Sequence, residues 1–317
     1  MKILANDGVS KSGVEKLEAA GHEVLTTNVA QDQLQDYIIK HEIAVLLVRS
    51  ATKVRKDLID NCPSLQIIGR GGVGMDNIDV EYAREKGLKV INTPAASSAS
   101  VAELVFAHLY GGVRFLYDAN RNMPLEGETN FKGLKKEYAK GIELRGKTLG
   151  IIGIGRIGQE VAKIAAGVGM KVIAHDSYAE KAPTVSWNLF DGQNVSVEIP
   201  LVEKEELLRT SDFITLHVPA QKDYVLGADE FAMMKKGAAV VNAARGGVLD
   251  EVALVNALEA EQISFAALDT FEKEPKPEVV LLMNSKLSLS PHIGAATGEA
   301  QDRIGTELAE QIIEILG

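Results

Sequence analysis

The sequence predicts an α/β protein built from two parallel-sheet domains, and three observations carry that prediction. Short runs rich in Val and Ile alternate along the whole chain with stretches of helical period, the pattern of βα units that build parallel sheets. The 317 residues exceed the ~100–200 typical of one domain. A glycine run, Gly153-Ile154-Gly155-Arg156-Ile157-Gly158, sits where a strand meets a helix and opens a second series of such units.

In the first series, strands are predicted at 2–5, 23–26, 44–48, 66–69 and 89–92. Ser12 with Glu15 forms a capping-box pair for a helix through Val14 and Leu17 that stops at Gly21, and Asp79 precedes a helix over 80–86 that stops at Gly87. Residues 100–118 read as one long apolar helical stretch interrupted at Gly111-Gly112. The polar segment 120–146 has little periodicity and reads either as a subunit contact or arm, or as a plain connection. The second series has strands at 149–153, 171–175, 213–217, 239–242 and 265–268, with a last apolar run at 287–290. Residues 299–316 close the chain as a helix with Ile304, Leu308, Ile312 and Ile315 on one face.

Charge narrows the function. A net charge of -10 without any Lys/Arg run argues against nonspecific nucleic-acid binding and against attraction to anionic lipid. No run approaches the ~18 apolar residues of a membrane span, and MKILANDG opens as a strand rather than a leader, so the cytoplasm is expected. Cys62, the single cysteine, excludes an internal disulfide and a cysteine cluster. His22, His41, His108 and His175 have no metal-ligand spacing, His217 reads as structural, and no metal is expected.

The glycine run gains meaning from its context. An apolar strand precedes it, a helix follows, and Asp176 closes the next strand 18 residues after Gly158. Gly153 permits the tight turn, Gly155 lets backbone approach a pyrophosphate, Gly158 lets helix and strand pack, and the amides of Arg156 and Ile157 open a helix that attracts phosphate. Asp176 accepts from ribose hydroxyls and repels a 2′-phosphate, which favours NAD over NADP. Arg245, Glu274 and His292 each follow a strand of the second series, on the side where loops line the crevice of such a sheet. Singly each has an ordinary structural reading; their joint placement invites a catalytic one.

The order GRGGVGMDNID (69–79), GIIGIGRIG (150–158), NAARGGVLDE (242–251), ALDTFEKEP (267–275) and SPHIGAAT (290–297) resembles the D-isomer-specific 2-hydroxyacid dehydrogenase family along nearly the whole chain. VRSATKV (48–54) with GRGGVGMDN looks most like its branch that oxidises D-3-phosphoglycerate at the head of serine synthesis. The resemblance implies two Rossmann-like, doubly wound parallel-sheet domains with a cleft between them. Residues 1–98 and 288–317 would form a discontinuous substrate-binding domain, and 99–287 the NAD-binding domain.

Carried over residue by residue, the resemblance makes His292 the acid/base, Glu274 its carboxylate partner and Arg245 the clamp on the substrate carboxylate. It puts the amides of Val73 and Gly74 on that carboxylate, and Arg49 and Arg70 are the candidates for a substrate phosphate. Ser100, Val218, Pro219, Ala243, Ala244, Asp269 and Gly294 would touch NAD, with Arg245 and His292 beside them. A homodimer or higher homo-oligomer is implied through the apolar 101–116 stretch.

Two departures stand out: residues 178–200 are longer than is usual for the family, and an end at Gly317 leaves no room for the regulatory C-terminal domain of its longer members. The alternatives are a hydroxypyruvate or glyoxylate reductase of the same family and, from another class, an NAD-sensing binding module of the same fold. The formate dehydrogenase branch is disfavoured, because it carries glutamine where this chain has Glu274.

Overall fold

A computed structural model describes every residue from Met1 to Gly317. The chain forms two compact units, Met1–Ser100 with Ala295–Gly317, and Val101–Gly294.

The first unit runs β1 (Lys2–Ala5), α1 (Lys11–Ala19), β2 (Glu23–Leu25), α2 (Leu34–His41), β3 (Val45–Val48), α3 (Lys56–Asn61), β4 (Ile67–Arg70), α4 (Val80–Glu85) and β5 (Lys89–Asn92). The strands make one parallel sheet in the order β2-β1-β3-β4-β5. All of β3 is buried, as a central strand covered on both faces must be. The winding reverses between β1 and β3, so their carboxyl ends flank the crevice of the sheet, and Asn6, Asp7 and Arg49 follow there.

Two expected caps fall elsewhere. The Ser10 hydroxyl, not Ser12, accepts from the Gly13 amide to start α1, and Ser12 donates to Asp302 instead. The Asp79 carboxylate accepts from Arg55 and from the Lys56 amide rather than capping α4. Cys62, just past α3, is buried, which pushes its thiol up to about 11 and leaves it unreactive.

The second unit takes in α5 (Ser98–Val113) from Val101 onward, α6 (Leu116–Glu126), α7 (Phe131–Glu137), β6 (Thr148–Ile152), α8 (Arg156–Val168), β7 (Lys171–His175), β8 (Thr184–Asn188), β9 (Asn194–Glu198) and α9 (Lys204–Thr210). It continues with β10 (Phe213–Leu216), α10 (Ala228–Met233), β11 (Ala238–Asn242), α11 (Glu251–Glu259), β12 (Ile263–Leu268), α12 (Val279–Leu282) and β13 (Leu287–Leu289). Six parallel strands lie in the order β13-β12-β11-β10-β6-β7. Beyond β7 a further strand is reduced to one parallel bridge, Ala174 with Leu201. The long 178–200 segment before that bridge is an antiparallel β8–β9 hairpin, whose buried Val185, with Trp187 and Val197, packs into the core beside α8.

The helical stretch predicted to break at Gly111-Gly112 does not break there. A Cβ on Gly112 would lie 2.0 Å from the Phe265 ring, so the glycine lets α5 press onto β12; the helix ends later, and Phe115 turns the chain with φ 56°. The segment expected to lack periodicity contains α6 and α7. Helix α6 buries no residue and α7 only Leu134, so neither writes a hydrophobic stripe into the sequence.

The last helix, α13 (Gly298–Leu316), returns to the first unit, started by the Thr297 hydroxyl accepting from the Ala300 amide. Its Ala309 and Ile312 join Ile3, Leu17 and Ile67 in one core. A Cβ on Gly13 would come within 2.8 Å of Gly305, so α1 and α13 meet backbone to backbone. The return begins at Ala295 rather than at the expected 288, because β13 pairs with β12 and keeps His292 in the second unit.

Candidate active site

Strand β6 delivers the glycine turn. Gly153 has φ 94°, and a Cβ on it would lie 2.6 Å from the His217 carbonyl oxygen. A Cβ on Gly158 would lie 2.2 Å from the Gly153 carbonyl oxygen, so α8 crosses the strand end in backbone contact. Gly155 differs: it precedes α8 with no side chain capping the helix, and a Cβ there meets nothing within 4 Å. That combination is a cradle open to an anion, with unclaimed amides at a helix start. The Asp176 carboxylate accepts from the Ile154 amide at 2.9 Å and from the Tyr178 amide at 2.9 Å, which ties it to the glycine turn. Each oxygen keeps a lone pair for a ribose hydroxyl. Val218 and Pro219 follow β10 across the winding reversal from β6, with Val218 Cγ1 2.9 Å from where a Gly153 Cβ would be. The residues present fit a dinucleotide.

Strand β11 ends in a turn that Asn242 builds. Its side chain donates to the Arg245 carbonyl at 2.9 Å and accepts from the Ala244 amide at 3.1 Å, which sets Ala243 and Ala244 at the carboxyl end of the sheet. Gly246 allows this turn to lie against the next loop, since a Cβ on it would come within 1.9 Å of the Phe271 carbonyl oxygen. Glu251 and Glu272 brace that loop reciprocally, each carboxylate accepting from the other's amide.

On the braced loop, Glu274 accepts from the Phe271 amide at 3.0 Å and from His292 Nδ1 at 2.9 Å. Burial works to raise the Glu274 pKa, but the His292 ring, the Phe271 amide and the Arg245 charge outweigh it and hold the carboxyl below its ordinary range. The structure thus assembles Arg245, Glu274 and His292. The imidazole and the carboxylate are each a little more than one third exposed, open to a ligand. With Nδ1–H donating to Glu274, Nε2 is the ring atom left to exchange a proton.

His292 sits at φ 56°, a left-handed conformation that costs a non-glycine residue about 1–3 kcal/mol unless its surroundings impose it. Asp269, fully buried at the end of β12, imposes it: its two oxygens accept from the Ile293 amide at 2.8 Å and the Gly294 amide at 2.9 Å. Asp269, expected beside the cofactor, is the brace of the turn that carries His292. Ser100 lies in the first turn of α5, on the first unit's side of the division.

In the first unit, Arg49 follows β3 and Arg70 ends β4, with Val48 and Arg70 side by side in register. The Arg49 stem passes 3.7 Å from the place of a Gly71 Cβ, and the Arg70 guanidinium folds over Gly72, which has φ 140° and no room for a Cβ. Val73 is exposed and Gly74 partly so, and the Val73 carbonyl accepts from Asn92 at 2.8 Å. Three residues that sequence reasoning passed over set this loop. Asp7 accepts from the Arg49 amide at 2.6 Å and from Thr52, Asn6 donates to Thr52 Oγ1 at 2.8 Å, and Asn77 donates to the Arg49 carbonyl at 2.7 Å. The one signal for Asn6 and Asp7 was their pairing directly after the first strand, and Asn77 had none.

Residues 106–294 match the family model described as D-isomer specific 2-hydroxyacid dehydrogenase, NAD binding domain. The chain is 43% identical over 320 residues to a D-3-phosphoglycerate dehydrogenase of Methanocaldococcus jannaschii, in an alignment covering 100% of this chain and 57% of that protein. It is 40% identical over 322 residues to a hydroxypyruvate reductase of Thermotoga maritima, covering 100% of this chain and 98% of that protein. The chain thus spans little more than half of the first relative and nearly all of the second. Its fold superposes on the crystal structure of a glyoxylate reductase from Paecilomyes thermophila with a TM-score of 0.81 at 28% identity, covering 98% of this chain and 93% of the other. Together with the glycine cradle, Asp176 and the His292–Glu274 pair, these matches establish that the chain belongs to the D-isomer-specific 2-hydroxyacid dehydrogenase family and carries that family's NAD-binding domain.

Proposed function

We propose that this protein is an NAD-dependent dehydrogenase that oxidises D-3-phosphoglycerate to 3-phosphohydroxypyruvate, the entry to serine synthesis. The observation that carries the phosphate assignment is the pair of arginines at neighbouring strand ends of the first unit, Arg49 and Arg70, in a protein of net charge -10. Two guanidinium groups at one sheet end have a purpose where a multiply charged anion binds. In this reading the first unit is the substrate-binding domain, with the Val73 and Gly74 amides on the carboxylate, and the second is the NAD-binding domain.

NAD, when bound, takes up the hydride lost from C2. Gly153, Gly155 and Gly158 with the Arg156 and Ile157 amides hold its pyrophosphate, Asp176 its ribose, and Ser100, Val218, Pro219, Ala243, Ala244, Asp269 and Gly294 line its path. Neutral His292 accepts the hydroxyl proton at Nε2, and Glu274 stabilises the imidazolium and fixes its tautomer. Arg245 grips the α-carboxylate and polarises the oxygen on C2 through its planar fork. In reduction the protonated ring returns the proton.

A second reading, a hydroxypyruvate reductase, is favoured by the Thermotoga maritima relative, of which the chain covers 98%. Initial rates with NAD and D-3-phosphoglycerate, set against NADH with hydroxypyruvate and with glyoxylate, separate the two. The phosphate reading expects the phosphorylated substrate to lead in kcat/KM by about 10²-fold or more, and Arg49→Ala or Arg70→Ala to remove that lead. Equal use of phosphorylated and unphosphorylated acids overturns it.

The reading includes a cytoplasmic location; no helix is long and apolar enough to cross a membrane. It also includes a homodimer. Most of the apolar 101–116 stretch is buried in the second unit's own core, so what self-association would cover is exposed Tyr110 and Leu116 of that stretch with Met123, Leu125 and Phe131 on α6 and α7.

A further inference from the structure

We propose that His108 is a positioning residue of this site, acting through Ser290 on Asp269 and so on the turn that presents His292. The inference rests on the dehydrogenase reading above and extends it to a helix outside the glycine turn and the acid/base loops.

His108 lies on α5, a helix otherwise lined with Val, Ala, Leu and Phe, and is only 6% exposed. A leucine would suit that apolar setting without the cost of burying a polar ring. The ring is nonetheless satisfied on both sides: Nδ1 lies 2.8 Å from Ser288 Oγ, and Nε2 lies 2.9 Å from Ser290 Oγ. Ser290 in turn donates to Asp269 Oδ1 at 2.6 Å.

The direction of the chain follows from proton counting. A carboxylate only accepts, so the single Ser290 proton goes to Asp269, and Ser290 must accept from His108. Nε2 therefore carries the proton of a neutral ring, and Nδ1 accepts from Ser288. The four groups form one relay pointing the same way, Ser288 to His108 to Ser290 to Asp269, in which each bond polarises the next. Burial favours the neutral ring, with the Asp269 charge opposing it.

The relay ends where the acid/base residue is held. The oxygen of Asp269 that takes the Ser290 proton also takes the Ile293 amide, while its other oxygen takes the Gly294 amide. These amides follow His292 directly, and its left-handed φ persists because they are fixed. Loss of the imidazole leaves Ser290 without its donor and frees it to rotate away from Asp269, so the carboxylate loses a charge-assisted bond and the His292 turn loosens.

The test compares the parent protein with His108→Leu and with His108→Gln, which keeps an N–H donor. For His108→Leu we expect kcat to fall about tenfold with KM little changed, the cost of a small misplacement of the acid/base. His108→Gln is expected to recover most of that loss. Melting temperatures accompany both, because a purely structural His108 predicts loss of stability in both variants with kcat per folded molecule unchanged, and that result overturns the proposal. Equal damage in the two variants overturns it too.

Should neither variant fold, the nitrogen NMR shifts of His108 in the parent decide. A neutral ring protonated at Nε2 from pH 6 to 8 supports the relay, and a ring protonated at Nδ1 overturns it. A parent that binds NADH but turns over no 2-hydroxy or 2-oxo acid sinks the dehydrogenase reading, while the NMR measurement still decides the relay.

Discussion

Glu274 touches both the Phe271 amide and the His292 ring, and these contacts, with the Arg245 charge nearby, keep it ionised to lower pH than an ordinary glutamate. Its charge is therefore present throughout the working range, and in the proposed reaction it acts as a constant field on the imidazole. Glu274→Gln keeps the shape and removes that field. We expect kcat to fall about 10²-fold in both directions, at the lower end of what a general acid/base contributes. A variant whose kcat is unchanged contradicts the assigned pairing.

At this same scale the candidate-site residues whose proposed chemistry demands one amino-acid type stand out in the sequence: Gly153, Gly155, Gly158, Asp176, Arg245, Glu274 and His292. Asn242, Asp7 and Ser290 do not, because a polar residue at a strand end reads as an ordinary turn residue until the partner it holds is known, and neither does His108, because a lone histidine within an apolar helix shows no partner in the sequence.

Among elements, the β6–α8 turn makes a comparison between two of its own glycines. Gly155 has ordinary backbone angles and open space where a Cβ would go, whereas a Cβ on Gly158 runs into the backbone of Gly153. Gly155→Ala should melt within a few degrees of the parent yet bind NADH at least tenfold more weakly, since the methyl occupies the space the pyrophosphate needs. Gly158→Ala must push α8 off β6 and should lose stability by about 2 kcal/mol or more. Calorimetry and fluorescence titration with NADH measure both effects. Equal losses of stability in the two variants contradict the division of labour between the glycines.

Strands of the two parallel sheets were legible from their Val- and Ile-rich runs, because a central parallel strand is apolar on both faces, whereas β8 and β9 of the antiparallel hairpin were not. Helices α6 and α7 were not: residues such as Leu125 and Phe131 lie exposed on them, so their apolar positions follow no single-chain core.

Over the second unit as a whole, stability should depend on pH through histidines that the fold keeps neutral. His217 packs Nε2 against Thr215 Oγ1 at 2.9 Å and seals Nδ1 away from solvent without a partner. The residue as a whole is only partly buried, but Nδ1 has neither a partner nor access to water, and burial pushes the pKa down to about 3 from 6.5. His108 is shifted the same way. An unfolded chain takes up these protons near pH 6.5 and the folded one does not. Stability is therefore full above that pH and falls below it, by up to about 1.4 kcal/mol per pH unit for each such histidine.

The carboxylates held below their ordinary range, Asp212, Glu230 and Glu274, lose their contribution only as pH falls below their ordinary values of 3.8 and 4.5, at the acid end of the histidine window. Glu251, raised by burial, works in the opposite sense and regains stability as it protonates. The absolute slope is thus a sum, whereas the difference between the parent and His217→Gln isolates one group. Trp187, the single tryptophan, lies in the β8–β9 hairpin and reports on this unit alone. Urea unfolding followed by its fluorescence between pH 5 and 7 should show the slope of stability against pH reduced in His217→Gln by about one proton, or ~1.4 kcal/mol per unit at the acid end. Parallel curves for the two proteins would mean that His217 takes up its proton in the folded state, and that the buried side of the glycine turn is more open to water than its packing implies.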